Sequence, residues 1–291
     1  ARDGSGSISS RALTVTVTPA TATSSPNRST PVIVDEQSRQ VWTVNPDNDS
    51  VSRIHIDSQS VLSETNVGAD PRSIAIDQAG NAWVTCHDAD RIDVISSTGI
   101  LSSSISLDYG DAPLGIAMSP DRQTVYVSLQ GSGDLVRYDT ASESETGRLT
   151  LGETPRALAL TPGGNRIYVS RFISPLHRGE IWEVDTASMN LVRRLEIEKF
   201  GGDLHRDGTA EGMGVANYLV GLAVSPDGQR LLAVSNKMNT DKGALSGPDF
   251  DQDNTVRNII SRFDIPSGAF LGAIDIDNSD SASAIEFSPL G

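Results

Sequence analysis

The chain is poor in cysteine, in positive charge and in long apolar runs. Its 291 residues include one cysteine, Cys86, which excludes an internal disulfide framework without fixing the compartment. No stretch approaches the roughly 18 consecutive apolar residues of a membrane helix, so we expect no membrane insertion. The 23 Lys and Arg against 38 Asp and Glu leave a formal net charge of −15, which repels phosphate backbones and argues against nucleic acid as a partner.

What the chain does contain is an internal repeat. The segments ADPRSIAIDQAGNAWVT, DAPLGIAMSPDRQTVYVS and ETPRALALTPGGNRIYVS place Pro71, Pro113 and Pro155 at intervals of 42 residues. VIVDEQSRQVWTVN is one copy upstream, and YLVGLAVSPDGQRLLAVS and SASAIEFSPLG continue the series downstream. The wider spacing of the downstream copies indicates that two of them carry insertions.

Each copy predicts four short strands. Two alternating apolar runs flank a turn rich in Pro, Asp and Gly, and a second pair such as GEIWEVDTASMNLVRRLEI follows. Four antiparallel strands that recur about every 40 residues are typical of a β-propeller blade. We therefore predict an all-β fold, a propeller of four-stranded antiparallel blades with five blades and the first strand of a sixth in an incomplete ring.

The repeat also predicts the domain organisation. Copies begin near residues 30, 71, 113, 155 and 218, and the sixth stops after its first strand. Because a propeller closes so that its first and last blades bury each other's faces, we expect the native polypeptide to continue past Gly291 with further copies. Residues 30–291 are thus predicted to be a propeller truncated at its C-terminus.

The N-terminal residues have a different composition. Residues 1–19 contain a Gly/Ser turn and a strand that alternates Leu13, Val15 and Val17 with threonines. They resemble the last hairpin of a PKD or other immunoglobulin-like domain, and the alternative is that residues 11–19 supply an outer strand that clasps the ring. Residues 20–29 form a Ser/Thr/Pro linker, a composition that favours the separate domain.

The repeat units carry a family resemblance. The runs VWTVN, WVTC, VYVS and IYVS, after turns of the SPDG type, are similar to those of the YVTN family of β-propellers. The stretch from PRALAL through SRFISPLHRGEIWEVD to DNTVRNIISRFDI resembles bacterial extracytoplasmic propellers that precede a c-type cytochrome domain in one polypeptide. The resemblance implies an extracytoplasmic location, whether periplasmic, cell-surface or secreted. It brings no fixed set of catalytic residues in the propeller.

Three long insertions are predicted to lie at one end of the ring. In a four-stranded meander, the loops between the second and third strands and the loops between blades share one end of the sheet. The insertions RFISPLHRG, EKFGGDLHRDGTAEGMGVAN and NKMNTDKGALSGPDFDQDN occupy such positions. Because binding sites usually form on long loops of a rigid scaffold, we expect a binding face there. Its candidate residues are Arg171, His177, Arg178, His205, Asp207, Lys237 and Lys242.

The third insertion contains a candidate Ca²⁺ site. DFDQDN places Asp249, Asp251 and Asp253 at alternate positions, followed by Asn254. Closely spaced carboxylates repel one another unless a hard cation neutralises them, and this spacing can wrap a loop around Ca²⁺. An EF-hand loop needs Gly and Glu where this chain has Asn254 and Ile260, so a solvated acidic loop is the alternative.

Haem-attachment and catalytic motifs are missing from the sequence. Covalent haem attachment needs C-x-x-C-H, and Trp83 stands where the first cysteine of a site ending in Cys86 and His87 would be. G-x-S-x-G, H-E-x-x-H and phosphate-binding glycine motifs are also lacking. We therefore assign no catalytic residue and no covalent haem to this segment.

Together these patterns predict a non-catalytic propeller scaffold from a large secreted or cell-surface bacterial protein. Its loop-rich, acidic face would bind a protein partner or a neighbouring domain of the same polypeptide. One alternative is a module of a haem-containing redox protein with the cytochrome domain downstream. Another is a lactonase-like hydrolase, since propellers related to lactonases hydrolyse sugar lactones.

Overall fold

The computed structural model describes residues 28–199, 214–238 and 256–276. These ranges contain 20 strands in five four-stranded antiparallel sheets, which we call blades and number in chain order. The only helical element among them is a 3-10 turn at Pro46–Asn48, and none of them forms a helix suited to crossing a bilayer. The predicted all-β propeller is confirmed for five blades. The predicted N-terminal hairpin and the start of a sixth blade lie outside the described residues.

The strands follow the repeat. Blade 1 comprises β1 (Val32–Asp35), β2 (Gln40–Asn45), β3 (Ser50–His55) and β4 (Ser60–Asn66). Blade 2 comprises β5 (Pro71–Ile76), β6 (Ala82–Cys86), β7 (Arg91–Ile95) and β8 (Leu101–Ser106). Blade 3 comprises β9 (Pro113–Met118), β10 (Thr124–Leu129), β11 (Asp134–Asp139) and β12 (Ser144–Thr150). Blade 4 comprises β13 (Pro155–Leu160), β14 (Arg166–Arg171), β15 (Arg178–Asp185) and β16 (Asn190–Glu198). Blade 5 comprises β17 (Val215–Val224), β18 (Arg230–Met238), β19 (Val256–Asp264) and β20 (Phe270–Asp275).

The first strands of the blades lie side by side around a common axis. β5 contacts β1 and β9, and β13 contacts β9 and β17. Within each blade the strands are hydrogen-bonded in sequence order, so loops emerge at two ends. We call the end that carries the blade-to-blade connections and the loops between second and third strands the loop-rich end, and the opposite end the turn end.

Large and small side chains alternate along the first strands of blades 2 to 5. In blade 3, Ile116 and Met118 pack against blade 2, whereas Ala117 packs against blade 4. In blade 4, Leu158 faces blade 3 and Ala159 faces blade 5. Because successive side chains of a strand point to opposite faces, each blade inserts large side chains into the preceding blade and leaves room for the next one.

A buried hydroxyl group joins three of the four pairs of adjacent blades, namely blades 2 and 3, 3 and 4, and 4 and 5. In each pair, a second-strand hydroxyl donates to a carbonyl oxygen in the first strand of the next blade. The bonds are Thr85 Oγ1 to Leu114 O at 2.8 Å, Ser128 Oγ to Arg156 O at 2.7 Å and Ser170 Oγ to Leu219 O at 2.8 Å. The same oxygens accept a first-strand N–H within their own blade, from Ser73, Gly115 and Ala157. The Thr or Ser of the runs WVTC, VYVS and IYVS therefore fastens one blade to the next.

Residues 28–30 lie inside the ring of first strands. Ser29 N donates to Leu158 O at 3.0 Å, and Leu158 N donates to Ser29 Oγ at 2.8 Å. Thr30 O accepts from Ile74 N at 2.9 Å. This segment, which the sequence assigned mostly to a linker, therefore connects blade 4 to blade 2 across the axis before the chain enters β1.

The hydroxyl of Ser128 is expected to stabilise the contact between blades 3 and 4. Ser128→Ala should lower the free energy of unfolding by about 1–3 kcal/mol, because Arg156 O and the Gly115 N–H lose a buried partner. Ser235→Ala is the matched control, since Ser235 is 2% exposed and its hydroxyl bonds to nothing among the described residues. Urea titrations measure the free energy of unfolding of both variants. Equal decreases in the two variants would contradict this role of the Ser128 hydroxyl.

Gly115 is expected to tolerate no side chain. A Cβ at this position would lie 2.1 Å from Arg156 O and 2.9 Å from Ser29 Oγ. Gly115→Ala should therefore destabilise the fold by about 1–3 kcal/mol through overpacking, seen as a lower melting temperature. Gly163→Ala should leave it nearly unchanged, because the nearest atom to its Cβ is Asn165 Oδ1 at 3.8 Å. An unchanged melting temperature for Gly115→Ala would show that the axis is more loosely packed than described.

Candidate functional site

The described ends of the long insertions lie together at the loop-rich end. Ser174 Oγ donates to Ala216 O at 2.7 Å, and Ser174 N donates to Asn217 Oδ1 at 2.9 Å. Val215 pairs with Met238 in the ladder between β17 and β18. The loop of blade 4, the connection into blade 5 and the loop of blade 5 therefore start from one region, as the alternation of strand directions predicts.

The predicted binding-face residues divide into two groups. Arg171, His177, Arg178 and Lys237 lie in the described residues. His205, Asp207 and Lys242 lie outside them, as do the predicted Ca²⁺ ligands Asp249, Asp251, Asp253 and Asn254. The structure therefore gives positions for the first group alone.

Arg171 is held in an ion-pair network. Its guanidinium lies 2.8 Å from Glu153 Oε2 and 3.1 Å from Glu180 Oε2, and Glu180 is buried. Arg194 Nε also lies 2.8 Å from Glu180 Oε1. Because breaking a buried ion pair leaves an uncompensated charge, Arg171 serves the packing of blade 4.

The other predicted residues differ in exposure. His177 and Arg178 are exposed, and Arg178 Nε lies 3.1 Å from Glu196 Oε1. Lys237 lies on β18 and is 4% exposed, so its side chain is part of the interior of the blade. His177 and Arg178 are thus the described members of the set that present a polar surface.

Sequence reasoning missed two arginines near the axis. Arg72 and Arg156 are the second residues of β5 and β13, at the loop-rich end of two first strands. Arg156 Cζ lies 4.1 Å from the ring centroid of Phe172, which in turn lies 5.1 Å from the ring of Tyr218. Burial, and then the charge of Arg72, lower the pKa of Arg156. The matching Pro-Arg pairs in DPRSIAI and TPRALAL were the signal that could have revealed this site.

Asp70, His87 and Asp88 form a compact polar cluster beside Arg72. Their potential ligand atoms lie within 4.8 Å of one another, and His87 Nδ1 is 2.7 Å from Asp88 Oδ1 and 3.5 Å from Asp70 Oδ2. His87 Nε2 lies 3.3 Å from Gln130 Oε1. Arg72, however, lies 2.7 Å from the same Asp70 oxygen. The arginine already supplies the positive charge that a metal would bring, so we interpret the cluster as an ion-pair network.

Cys86 precedes this cluster but points into the core. It is fully buried, with its Sγ 3.6 Å from Asp93 Oδ2. Burial raises the pKa of the thiol to about 12. A protonated, buried thiol is neither a nucleophile nor a metal ligand at neutral pH.

Some carboxylates at the loop-rich end hold the loops in place by accepting hydrogen bonds from backbone N–H groups. Asp90 accepts hydrogen bonds from Gly110 N at 2.9 Å and Ala112 N at 2.8 Å, across the connection into blade 3. Asp49 accepts from Asp70 N at 2.9 Å in the same way across the connection into blade 2. These carboxylates fix the loops of one blade against those of the next.

Three apolar side chains project into solvent from the fixed loops. Tyr109 is fully exposed, Leu176 is 69% exposed and Ile173 is 50% exposed. Tyr109 belongs to the connection from blade 2 to blade 3, and the other two belong to the loop between β14 and β15. The loop-rich end therefore combines acidic groups with exposed apolar ones.

A groove at the turn end offers a different environment. Its volume is about 460 Å³, and it lies between blades 3 and 4, lined by residues that include Tyr126, Arg137 and Thr186. Arg137 donates to Thr146 O at 2.9 Å and Thr186 O at 2.7 Å. The guanidinium thus already has backbone acceptors, and it ties the two blades together.

Comparison with known proteins identifies the fold. No family model and no curated protein matches the chain. Among solved structures, Kuenenia stuttgartiensis hydrazine synthase matches with 18% identity and a TM-score of 0.69, over 90% of this chain and 69% of that one. A Bacteroides uniformis protein described as a candidate 6-phosphogluconolactonase matches with 14% identity and a TM-score of 0.57, over 84% and 68%. Staphylococcus aureus virginiamycin B lyase matches with 15% identity and a TM-score of 0.54, over 86% and 85%. The chain is similar to these proteins as a β-propeller, and at such identities the likeness extends to the fold alone.

Proposed function

We propose that this propeller is a non-catalytic interaction module of a large secreted or cell-surface bacterial protein. It binds a protein partner, or a neighbouring domain of its own polypeptide, through the loop-rich end. The observation that carries the proposal is the exposure of Tyr109, Ile173 and Leu176 on loops that the propeller holds in place. Exposed apolar side chains rimmed by polar groups are typical of protein-binding surfaces.

The loops that carry these side chains are pre-organised. Asp90 fixes the backbone on both sides of Asp111, next to Tyr109, and Arg171 Nε donates to Ile173 O at 3.1 Å. Ser174 anchors the same loop to blade 5. Because little conformational entropy is then lost on association, exposed apolar groups on such loops contribute efficiently to affinity.

The net charge of the chain indicates the kind of surface that its partner presents. With a net charge of −15, the propeller attracts basic surfaces at long range and repels acidic ones. We therefore expect a partner with an apolar centre and a basic rim. Ca²⁺ bound by Asp249, Asp251, Asp253 and Asn254 would rigidify the neighbouring loop, and this remains a separate prediction.

A variant series tests the interaction. Proteins captured by the chain from the extracellular fraction of its host are purified and titrated against it by calorimetry. Leu176→Glu should weaken binding on the order of tenfold or more, because it places a charge at the contact. Ile100→Glu is the matched control, since Ile100 is 66% exposed but lies at the turn end. Equal affinities for both variants would overturn the proposed face.

The paired arginines favour one second candidate function. Arg72 and Arg156 stand at the starts of β5 and β13, where they would suit an anionic substrate, as in a lactonase-like hydrolase that acts on a phosphorylated sugar lactone. We expect no hydrolysis of 6-phosphogluconolactone above the buffer rate. If the chain hydrolysed this lactone and Arg156→Gln abolished the activity, the hydrolase would be the better proposal. Haem absorbance in the native polypeptide would instead favour the redox module.

A further inference from the structure

Arg156 is a half-buried cation whose guanidinium has no anionic partner in the described part of the chain. It makes no hydrogen bond and no ion pair with any described residue, although the chain contains 38 Asp and Glu. Its Cζ lies instead 4.1 Å from the ring centroid of Phe172. Because a desolvated charge is costly unless an opposite charge or hydrogen bonds compensate it, this guanidinium is suited to receive an anion.

The fold brings Arg72 to the same level of the axis. Residues 29–30 are bonded to Leu158 on one side, at 3.0 Å, and to Ile74 on the other, at 2.9 Å. Since hydrogen-bonded backbones lie about 4.8 Å apart, β5 and β13 are about 10 Å apart across this segment. Arg72 and Arg156 each stand two residues before these bonds, roughly 7 Å closer to the loop-rich end. Two long cationic side chains therefore start from opposite sides of one narrow opening.

The guanidinium of Arg72 also keeps a free donor. Its Nε and Nη2 both lie 2.7 Å from Asp70 Oδ2, whereas Nη1 bonds to nothing among the described residues. The positive charge of Arg72 contributes, after burial, to the lowered pKa of Arg156, so the two cations repel each other. A divalent anion between them would remove this repulsion. The N–H groups at the edge of each guanidinium have the planar spacing that paired oxyanion oxygens accept.

The segment at residues 28–30 forms the floor of this opening. A Cβ on Gly115 would lie 2.9 Å from Ser29 Oγ, so the segment is in close contact with the first strand of blade 3 as well. On the side towards the loop-rich end, the ring of Phe172 lies 5.1 Å from that of Tyr218. The site is therefore a shallow cup with a backbone floor, two arginines and an aromatic wall, and a ligand enters it from the loop-rich end.

We propose that Arg72 and Arg156 bind a small divalent oxyanion, a phosphate ester or a dicarboxylate, in this cup. Phe172 holds the guanidinium of Arg156 and Asp70 holds that of Arg72 before the ligand arrives. The net charge of −15 repels anions at long range, so affinity comes from the short bonds to the two guanidinium groups. Binding requires neither hydrolysis nor a protein partner, and the site is thus distinct from the interaction surface of Tyr109 and Leu176.

Calorimetric titration of the full 291-residue chain with inorganic phosphate tests the cup, in Tris buffer at an ionic strength held constant with NaCl. One phosphate should bind per chain, and it should raise the melting temperature by mass action. Arg156→Gln and Arg72→Gln should each weaken binding on the order of tenfold or more, because each removes a charged, forked donor. Arg156→Lys should bind with intermediate affinity, since it keeps the charge and loses the fork.

Arg230→Gln is the matched control and should leave the affinity unchanged. It removes the same charge at the turn end, where Arg230 has a half-exposed side chain paired with Asp264. A second titration with malonate separates the two ligand classes, because tighter binding of phosphate assigns the cup to phosphate esters and tighter binding of malonate assigns it to dicarboxylates. Circular dichroism confirms that each variant is folded.

Two outcomes would overturn the proposal. One is the absence of saturable binding for both phosphate and malonate. The other is equal affinity of Arg156→Gln and Arg230→Gln, which would show that the anion responds to the overall charge of the chain and not to the cup. Because no partner and no lactone is present in these titrations, either result leaves the interaction face and the hydrolase to their own tests.

Discussion

Packing of one blade face against the next is the constraint on which this structure depends. Each blade is a small sheet with two apolar faces, and it buries both only when it stands between two neighbours. The alternation of large and small residues on the first strands fits this geometry, since it directs bulk towards one neighbour and leaves space for the other. The hydroxyl bonds of Thr85, Ser128 and Ser170 then tie blades 2 to 5 to one another. Among the described residues, blades 1 and 5 each have a neighbouring blade on one side.

The two ends of the molecule follow from this scaffold. At the turn end, short Asp and Ser turns close the strands, as in the bonds from Ser142 to Asp139 and from Ser188 to Asp185. At the loop-rich end, carboxylates such as Asp90 accept backbone N–H groups from the next connection. The acidic composition of the chain therefore has a structural part as well as an electrostatic one. The side chains available for recognition are the exposed ones that make no structural contact within the propeller.

The sequence was sufficient for the features that repeat and insufficient for those that occur once. Copies expected to begin at 71, 113 and 155 coincide with the starts of β5, β9 and β13, because proline and apolar alternation mark each first strand. The roles of Arg171 and Lys237 could not be read in this way. Burial of Lys237 follows from β18 continuing to Met238, beyond the length of its counterparts in the other blades. Arg72 and Arg156 come near each other because the ring of blades is curved. A local sequence pattern does not reveal that curvature.

The segment at residues 28–30 has a mechanical consequence. A chain that entered β1 directly would pass any tension from its N-terminal side to the edge of blade 1, whose hydrogen bonds could open one after another. Here the backbone of Ser29 is bonded to Leu158 in blade 4, and Thr30 is bonded to Ile74 in blade 2. Tension on the preceding residues is therefore shared between blades on different sides of the axis before it reaches β1. The hydrogen bonds of Ser29 and Thr30 therefore precede the first sheet along the path of any such tension.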